Sequence, residues 1–322
     1  MTKRMKLDEL VDLLRYPIDK LDSSGADLLS RCRKSLRQSA ICYLPNFLTK
    51  RALSLLQDEI MNVRHRAFRN DEPRPAYAWR NQHQYPPTHV VAQRRAQSLG
   101  SVTRDCFEAN GVLVTLFEQH ALTEFVRRCL GVDNLYRVEC PYLSVNAKVM
   151  WRGDQHAWHF DQNDGVVSIL VQDAGRGGHF EFVPYIRDEG DEHYNEVSAV
   201  LGGETHRLVR PTITAGTFCL FKGRRSIHRV IEIIDDHPPR LVALFSYDRK
   251  PAMTYPHQTL QAVLGKDFDK SGSRALIDST RSATFECTAC PLTSTVRRLI
   301  NPGRIAECRL FPAAHFQYLD LL

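Results

Sequence analysis

Residues 156–164 read HAWHFDQND, and within this stretch His159 and Asp161 stand two residues apart. On an extended strand that spacing puts both side chains on one face. Two ligands from one strand cover two corners of a metal's coordination face, so a third has to arrive from another strand. His228, in SIHRV (residues 226–230), lies in a second strand-like run and is the candidate. Two histidines and one carboxylate make a facial triad with open positions opposite, the donor set of non-haem Fe(II) and dioxygen chemistry. Ligand type alone leaves zinc or manganese in a cupin-like barrel open. The lack of soft thiolates in the set disfavours a structural zinc site.

Twelve residues after His228, Arg240 opens RLVALFSYD (residues 240–248). A guanidinium fixed inside a barrel takes a carboxylate through two parallel hydrogen bonds. An Fe(II) site that uses 2-oxoglutarate needs such an anchor for the distal carboxylate. Ser246 shares the Arg240 face by period two and is expected to add a hydroxyl.

The surroundings fit a β-rich core. From residue 135 the chain breaks into short β-branched and aromatic runs: YLSVNAKVM (142–150), GVVSILVQD (165–173), GHFEFVPY (178–185), HRLVRP (206–211), GTFCLFKG (216–223), SIHRVIEII (226–234) and RLVALFSYD. Such spacing predicts a sandwich or barrel. Before it, residues 6–55 carry apolar residues at helical spacing (Leu7, Leu10, Val11, Leu14), interrupted by the extended AICYLPNF (40–47). A second helix is predicted in SLLQDEIMNVRHRAF (54–68) and a third over 121–130, closed by Gly131. The segment 70–87, rich in proline and polar residues, reads as a long ordered loop of the kind that covers sites. Gly177 and Gly178 read as a turn into a strand, and LQAVLG (260–265) as a short helix; the tail from 271 has no clear period. The expected division is 1–134 for a helical support and loop region, 135–255 for the catalytic core and 256–322 for a C-terminal extension.

Composition sets the class. Over 322 residues, 43% hydrophobic and 25% charged residues describe an ordinary globular protein. The formal charge of +6 is spread in small basic groups, without the stripe with interleaved aromatics that nucleic-acid binding calls for. Nine cysteines without a framework spacing suggest free thiols, and the lone C-x-x-C of Cys287 and Cys290 lacks the second pair of a zinc knuckle. No signal peptide or membrane-length apolar run is evident, so neither a nucleic acid nor a membrane is an expected partner and a cytoplasmic location is expected.

With these residues in place, the chain resembles the Fe(II)/2-oxoglutarate-dependent dioxygenases, and the resemblance runs over residues 130–255. Beyond the triad, LYRVECPYLSVNAKVMWRGDQHAWHFD, GGHFEFVPYIRDEGDEHY, GTFCLFKGRRSIHRV and RLVALFSYDRKP look like the branch that holds non-haem halogenases and hydroxylases of free amino acids. The resemblance implies a mainly β fold with α-helical support and a double-stranded β-helix (jelly-roll, cupin-like) core. It implies that His159, Asp161 and His228 hold Fe(II), that Arg240 pairs with the C5 carboxylate of 2-oxoglutarate, and that molecular oxygen is consumed with release of succinate and carbon dioxide. Halogenases of this branch have a small residue where the carboxylate would stand. Here the position is Asp161, which leaves no ligand site for halide and implies hydroxylation, with desaturation or cyclisation as variants.

For the substrate, the resemblance points to an amino-acid-like small molecule. A histidine near the position of His156 can contact substrate in this branch. Strict strand alternation turns His156 away from His159, so that role requires a bend after Gly153. Arg80 in the proline-flanked loop is the expected carboxylate partner and Glu139 the expected partner of an ammonium group. Trp158 reads as core, and Arg229 as a structural side chain paired with an acid. Two other readings stand beside this one: oxidation of a protein or peptide side chain, and a noncatalytic metal-binding barrel.

Overall fold

The computed structural model describes residues 4–162, 166–204, 206–236, 238–265 and 268. Cys287, Cys290 and the tail from 271 lie outside them. The helices are α1 (Leu7–Leu10), α2 (Ala26–Ser39), α3 (Lys50–Val63), α4 (Val112–Phe117), α5 (His120–Leu130), α6 (Tyr194–Leu201) and α7 (His257–Leu264). The first strands are β1 (Ile41–Leu44), β2 (Phe68–Asn70), β3 (Arg74–Pro75), β4 (Arg94–Arg95), β5 (Leu99–Thr103) and β6 (Tyr136–Arg137). The rest are β7 (Val145–Met150), β8 (His156–His159), β9 (Val166–Gln172), β10 (Phe180–Val183), β11 (Thr217–Phe221), β12 (Ile227–Val230) and β13 (Arg240–Asp248).

Two antiparallel sheets carry the fold. The larger runs β1-β11-β9-β13-β7-β5-β2, with β6 beside β13, and the smaller runs β10-β12-β8. The large sheet thus recruits β1, β2 and β5 from the first 134 residues. Its strands alternate cleanly. Val145, Ala147 and Val149 of β7, Val167, Ile169 and Val171 of β9, and Leu241, Ala243 and Phe245 of β13 enter the main hydrophobic core with the helices. Their neighbours on the opposite face line a cavity that also touches Phe180, His156, His159 and His228 of the small sheet. Two sheets enclosing a cavity, with helices backing one of them, make the expected double-stranded β-helix.

Local chemistry accounts for the helices that back it. In α3, Ala52, Leu56 and Ile60 recur every four residues and are buried, and Thr49 Oγ1 caps the first turn by accepting from Ala52 N at 3.1 Å. Helix α5 stops at Gly131, whose φ of 70° places it in the left-handed region. The mostly helical region expected over residues 6–55 holds α1, α2 and the start of α3, and the extended break expected at AICYLPNF supplies β1, whose four residues pair with β11 along the sheet edge.

HRLVRP does not form a strand. Only Val209 bridges to Phe182, since Pro211 lacks an N–H and Arg210 is drawn to Glu181, its Nε donating to Oε1 at 2.8 Å. Gly177 and Gly178 adopt positive φ (79° and 64°) just before β10, as the turn reading expects. The six described cysteines are free and buried. Among the described residues no helix is long and apolar enough to cross a membrane.

Candidate metal centre

The small sheet sets the triad. His228 of β12 stands directly opposite His159 of β8 in the antiparallel ladder, and their rings lie 4.1 Å apart. Asp161 follows the end of β8, its backbone N–H donating to Gly223 O at 3.1 Å. Its Oδ1 is 3.9 Å from His159 Nε2 and 3.5 Å from His228 Nε2. One ligand atom from each of the three residues fits within 4.8 Å of the other two.

The tautomers follow from the outer ring nitrogens. His159 Nδ1 is 2.7 Å from Ala157 O, and His228 Nδ1 is 3.0 Å from Ser226 O. A carbonyl only accepts, so each Nδ1 carries the proton and each Nε2 presents its lone pair to the centre. Burial, with the neighbouring His156, His228 and Arg74, holds His159 well below the usual imidazole range and therefore neutral. Asp161 Oδ2 is shut off from solvent and has no hydrogen-bond partner. The carboxylate thus turns Oδ1 toward two imidazole lone pairs and keeps Oδ2 unpartnered, a donor set that a divalent cation would satisfy. Gly223 makes room for it. A Cβ there would collide with Asp161 Oδ2 and come within 3.1 Å of His228 Cε1.

Arg240, the predicted cosubstrate anchor, is buried at the start of β13 and lines the same cavity of about 230 Å³. Burial lowers its guanidinium to about 10, with Asp173 acting in the opposite sense, and no ion pair to it forms among the described residues. Ser246 also lines the cavity, but its hydroxyl donates to Leu143 O at 2.7 Å. Six residues of extended strand separate it from Arg240, roughly 20 Å at the rise of a β-strand. The two therefore do not meet on one carboxylate.

The substrate-side expectations fare differently. His156 is beside His159, with ring centroids 4.0 Å apart, and it lines the cavity. The reason is a β-bulge. Between the pairs His159↔His228 and His156↔Val230, β8 advances three residues while β12 advances two, so one extra residue reverses the alternation. The bend after Gly153 is not what turns it. Arg80 instead pairs with Glu192 outside the cavity lining, and Glu139 is exposed and also outside it. Trp158 is buried under Arg229, whose guanidinium lies 4.6 Å from its ring centroid. Arg229 Nε donates to Glu181 Oε2 at 2.7 Å, the acid partner expected for it.

Sequence reasoning passes over two cavity residues. Arg74 comes from the proline-rich loop, six residues before Arg80. Its Nη1 is 3.0 Å from His156 Nε2, while its Nε is sealed from solvent without a partner. The next residues of the loop are tied down, since Phe160 N donates to Ala76 O at 3.1 Å. The other is Lys148 of β7, 8% exposed, whose Nζ donates to Ser101 Oγ at 2.7 Å. Its signal was the alternation itself: Asn146 and Lys148 share a face of β7 that reads as solvated in sequence and faces the cavity in the fold.

Comparison with known proteins gives the context. Residues 24–264 match the family described as halogenase D. No curated protein matches the chain at a significant level. Among solved structures, an oxidoreductase of the 2OG-Fe(II) oxygenase family from Burkholderia pseudomallei is 13% identical, with 69% of this chain and 91% of that one covered and a TM-score of 0.43. EctD from S. alaskensis, bound to 2-oxoglutarate and 5-hydroxyectoine, is 18% identical over 68% of this chain and 75% of that one, with a TM-score of 0.43. A prolyl hydroxylase from Trichoplax adhaerens, in complex with a hypoxia-inducible-factor peptide, is 14% identical over 70% and 91%, with a TM-score of 0.46.

Proposed function

The chain belongs to the halogenase D family, and from that premise we propose that it is an Fe(II)- and 2-oxoglutarate-dependent oxygenase that hydroxylates, rather than halogenates, a free amino acid or similar small polar metabolite. The observation that carries the reading is Asp161. A carboxylate stands within reach of both histidines, with its second oxygen buried and unpartnered. With that ligand in place the metal has no protein-vacated position for halide, so the family's name does not transfer to this chain's reaction.

His159, Asp161 and His228 would hold the metal, and Arg240 would take the distal carboxylate of 2-oxoglutarate. Fe(II) with 2-oxoglutarate supplies the oxidation of an unactivated C–H bond by dioxygen, with succinate and carbon dioxide released. The chain's own part is positioning. The carbonyls of Ala157 and Ser226 fix the imidazole tautomers. Arg74, which lines the cavity and contacts His156, would receive a substrate carboxylate in the role first expected of Arg80. Apolar lining such as Phe180, Phe221 and Val230 keeps bulk water from the reacting carbon.

The test is succinate formation by anaerobically iron-loaded protein given 2-oxoglutarate, oxygen and chloride, across a panel of free amino acids and related acids, with mass analysis of products. The expected result is substrate-dependent succinate and a product heavier by one oxygen atom. A chlorinated product from the parent enzyme would overturn the hydroxylase assignment. Turnover of peptides alone would move the substrate class to protein side chains.

A further inference from the structure

The cavity holds more positive charge than the proposed chemistry uses. Its lining contains three basic side chains, Arg74, Lys148 and Arg240, and one acid, Asp161. None of the three bases forms an ion pair with a carboxylate among the described residues. A divalent metal and the 2-oxoglutarate dianion cancel each other, and Asp161 cancels one of the bases. With Lys148 protonated, as it is below about pH 7, two positive charges then remain inside a largely apolar enclosure, where an uncompensated charge is costly. A zwitterionic substrate leaves that excess untouched, and a cationic one increases it.

The bases are also grouped. Arg240 lies at the start of β13, within the fields of Asp173 and Cys219. Lys148 stands opposite Val242 of β13, one same-face place along from Arg240, and it also feels Arg74, which in turn touches His156. Lys148 sits on β7, between β13 and β5, and its one hydrogen bond goes to Ser101 on β5. A neutral hydroxyl leaves two of the three ammonium protons without a partner. The wall formed by β3, β7 and β8 is thus a second cationic focus beside the one at Arg240.

Resting on the Fe(II)/2-oxoglutarate reading, we propose that the substrate is a small dicarboxylate, an acidic amino acid in size and charge, with one carboxylate received by Arg74 and His156 and the second by Lys148. Lys148 is then the specificity-determining residue: it rewards a second negative charge, whereas an amide at that position accepts a hydrogen bond from the ammonium but forms no ion pair.

The experiment measures equilibrium binding by calorimetry at pH 6.5, where Lys148 is protonated, to the full chain loaded anaerobically with Fe(II) and 2-oxoglutarate. The probes are L-aspartate and L-glutamate, their amides L-asparagine and L-glutamine, and L-lysine. At least one acid is expected to bind about thirtyfold more tightly than its amide, the difference made by pairing two opposite charges at close range. Lys148→Met is expected to erase that gap while leaving 2-oxoglutarate affinity unchanged. The inference is overturned if the amides or L-lysine bind as tightly as the acids, if none of the five binds, or if Lys148→Met weakens 2-oxoglutarate in place of the acids. The wild-type comparison of acid with amide decides without any variant. Failure of the iron-loaded chain to bind 2-oxoglutarate at all would instead refute the proposed function, and the substrate inference with it.

Discussion

A buried ammonium with no carboxylate partner among the described residues should cost the protein stability, and Lys148→Met measures that cost. Burial, with the field of Arg74, lowers Lys148 from 10.5 to about 7. That drop corresponds to ~5 kcal/mol of disfavoured charge at pH values where the lysine is protonated in both folded and unfolded states. Methionine keeps most of the length and removes the charge. Against that gain, Ser101, itself fully buried, loses its lysine partner, a loss of ~1–3 kcal/mol. The net expectation is that Lys148→Met is more stable by about 2 kcal/mol near pH 6.5.

The sign of the pH dependence follows from the same shift. Between about 7 and 10.5 the unfolded chain binds a proton that the folded one does not, so raising the pH stabilises the folded wild type in that window. The advantage of Lys148→Met therefore shrinks toward zero by about pH 9. Urea unfolding of metal-free full-length protein at the two pH values reads both numbers, and the difference between variants cancels every other titrating group. A methionine variant that is less stable than wild type by the same amount at both pH values would refute the account of Lys148 as a buried, unneutralised cation.

Asp161→Gly is expected to stay folded and to lose hydroxylation in the product assay, and hydroxylation at the parent rate would remove Asp161 from the ligand set. Gly223→Ala should weaken metal affinity at least about tenfold in a metal titration, because its Cβ occupies the space of Asp161 Oδ2; in the Asp161→Gly background the same alanine should add no further loss. Arg240→Met is expected to weaken 2-oxoglutarate about thirtyfold with metal affinity unchanged, and an unchanged 2-oxoglutarate affinity would move the anchor elsewhere. For Glu181, burial pushes its carboxyl up, but Arg210 and Arg229 pull it further down, below the usual range. Its contribution to stability is therefore present above about pH 4.5 and lost as pH falls through the lowered value. Glu181→Gln should flatten that acid limb in a thermal melt.

The triad was legible in the sequence because its spacing speaks the language of strands: residues 159 and 161 share a face by period two, and an antiparallel partner could bring residue 228 opposite. Arg240 was legible for the same reason, as the first residue of an unmistakable β run. His156 was named for the cavity from the resemblance and against the alternation of a regular ladder, and a bulge rather than the expected bend brings it there. The extra residue in β8 leaves no mark in HAWH that distinguishes a bulge from a straight strand. Arg80 and Glu139 were chosen by charge type near the expected mouth, but whether a loop arginine points inward depends on a tertiary contact such as Phe160 N to Ala76 O, which composition does not encode. Lys148 escaped for a subtler reason. Alternation tells which residues share a face, not whether the polar face meets water or an enclosed cavity.

That alternation makes the large sheet a two-track record. Along β13 the even positions Arg240, Val242, Leu244 and Ser246 border the cavity, while Leu241, Ala243, Phe245 and Tyr247 belong to the helix-backed core. β7 and β9 repeat the parity, and β11 inverts it, with Cys219 and Phe221 on the cavity side and Phe218 and Leu220 in the core. Adjacent residues of one strand thus answer to different selective demands, one track governing whether the protein folds and the other what it accepts. Descendants of this chain can rewrite the inner track to explore new substrates while the outer track, and the scaffold it secures, is inherited intact.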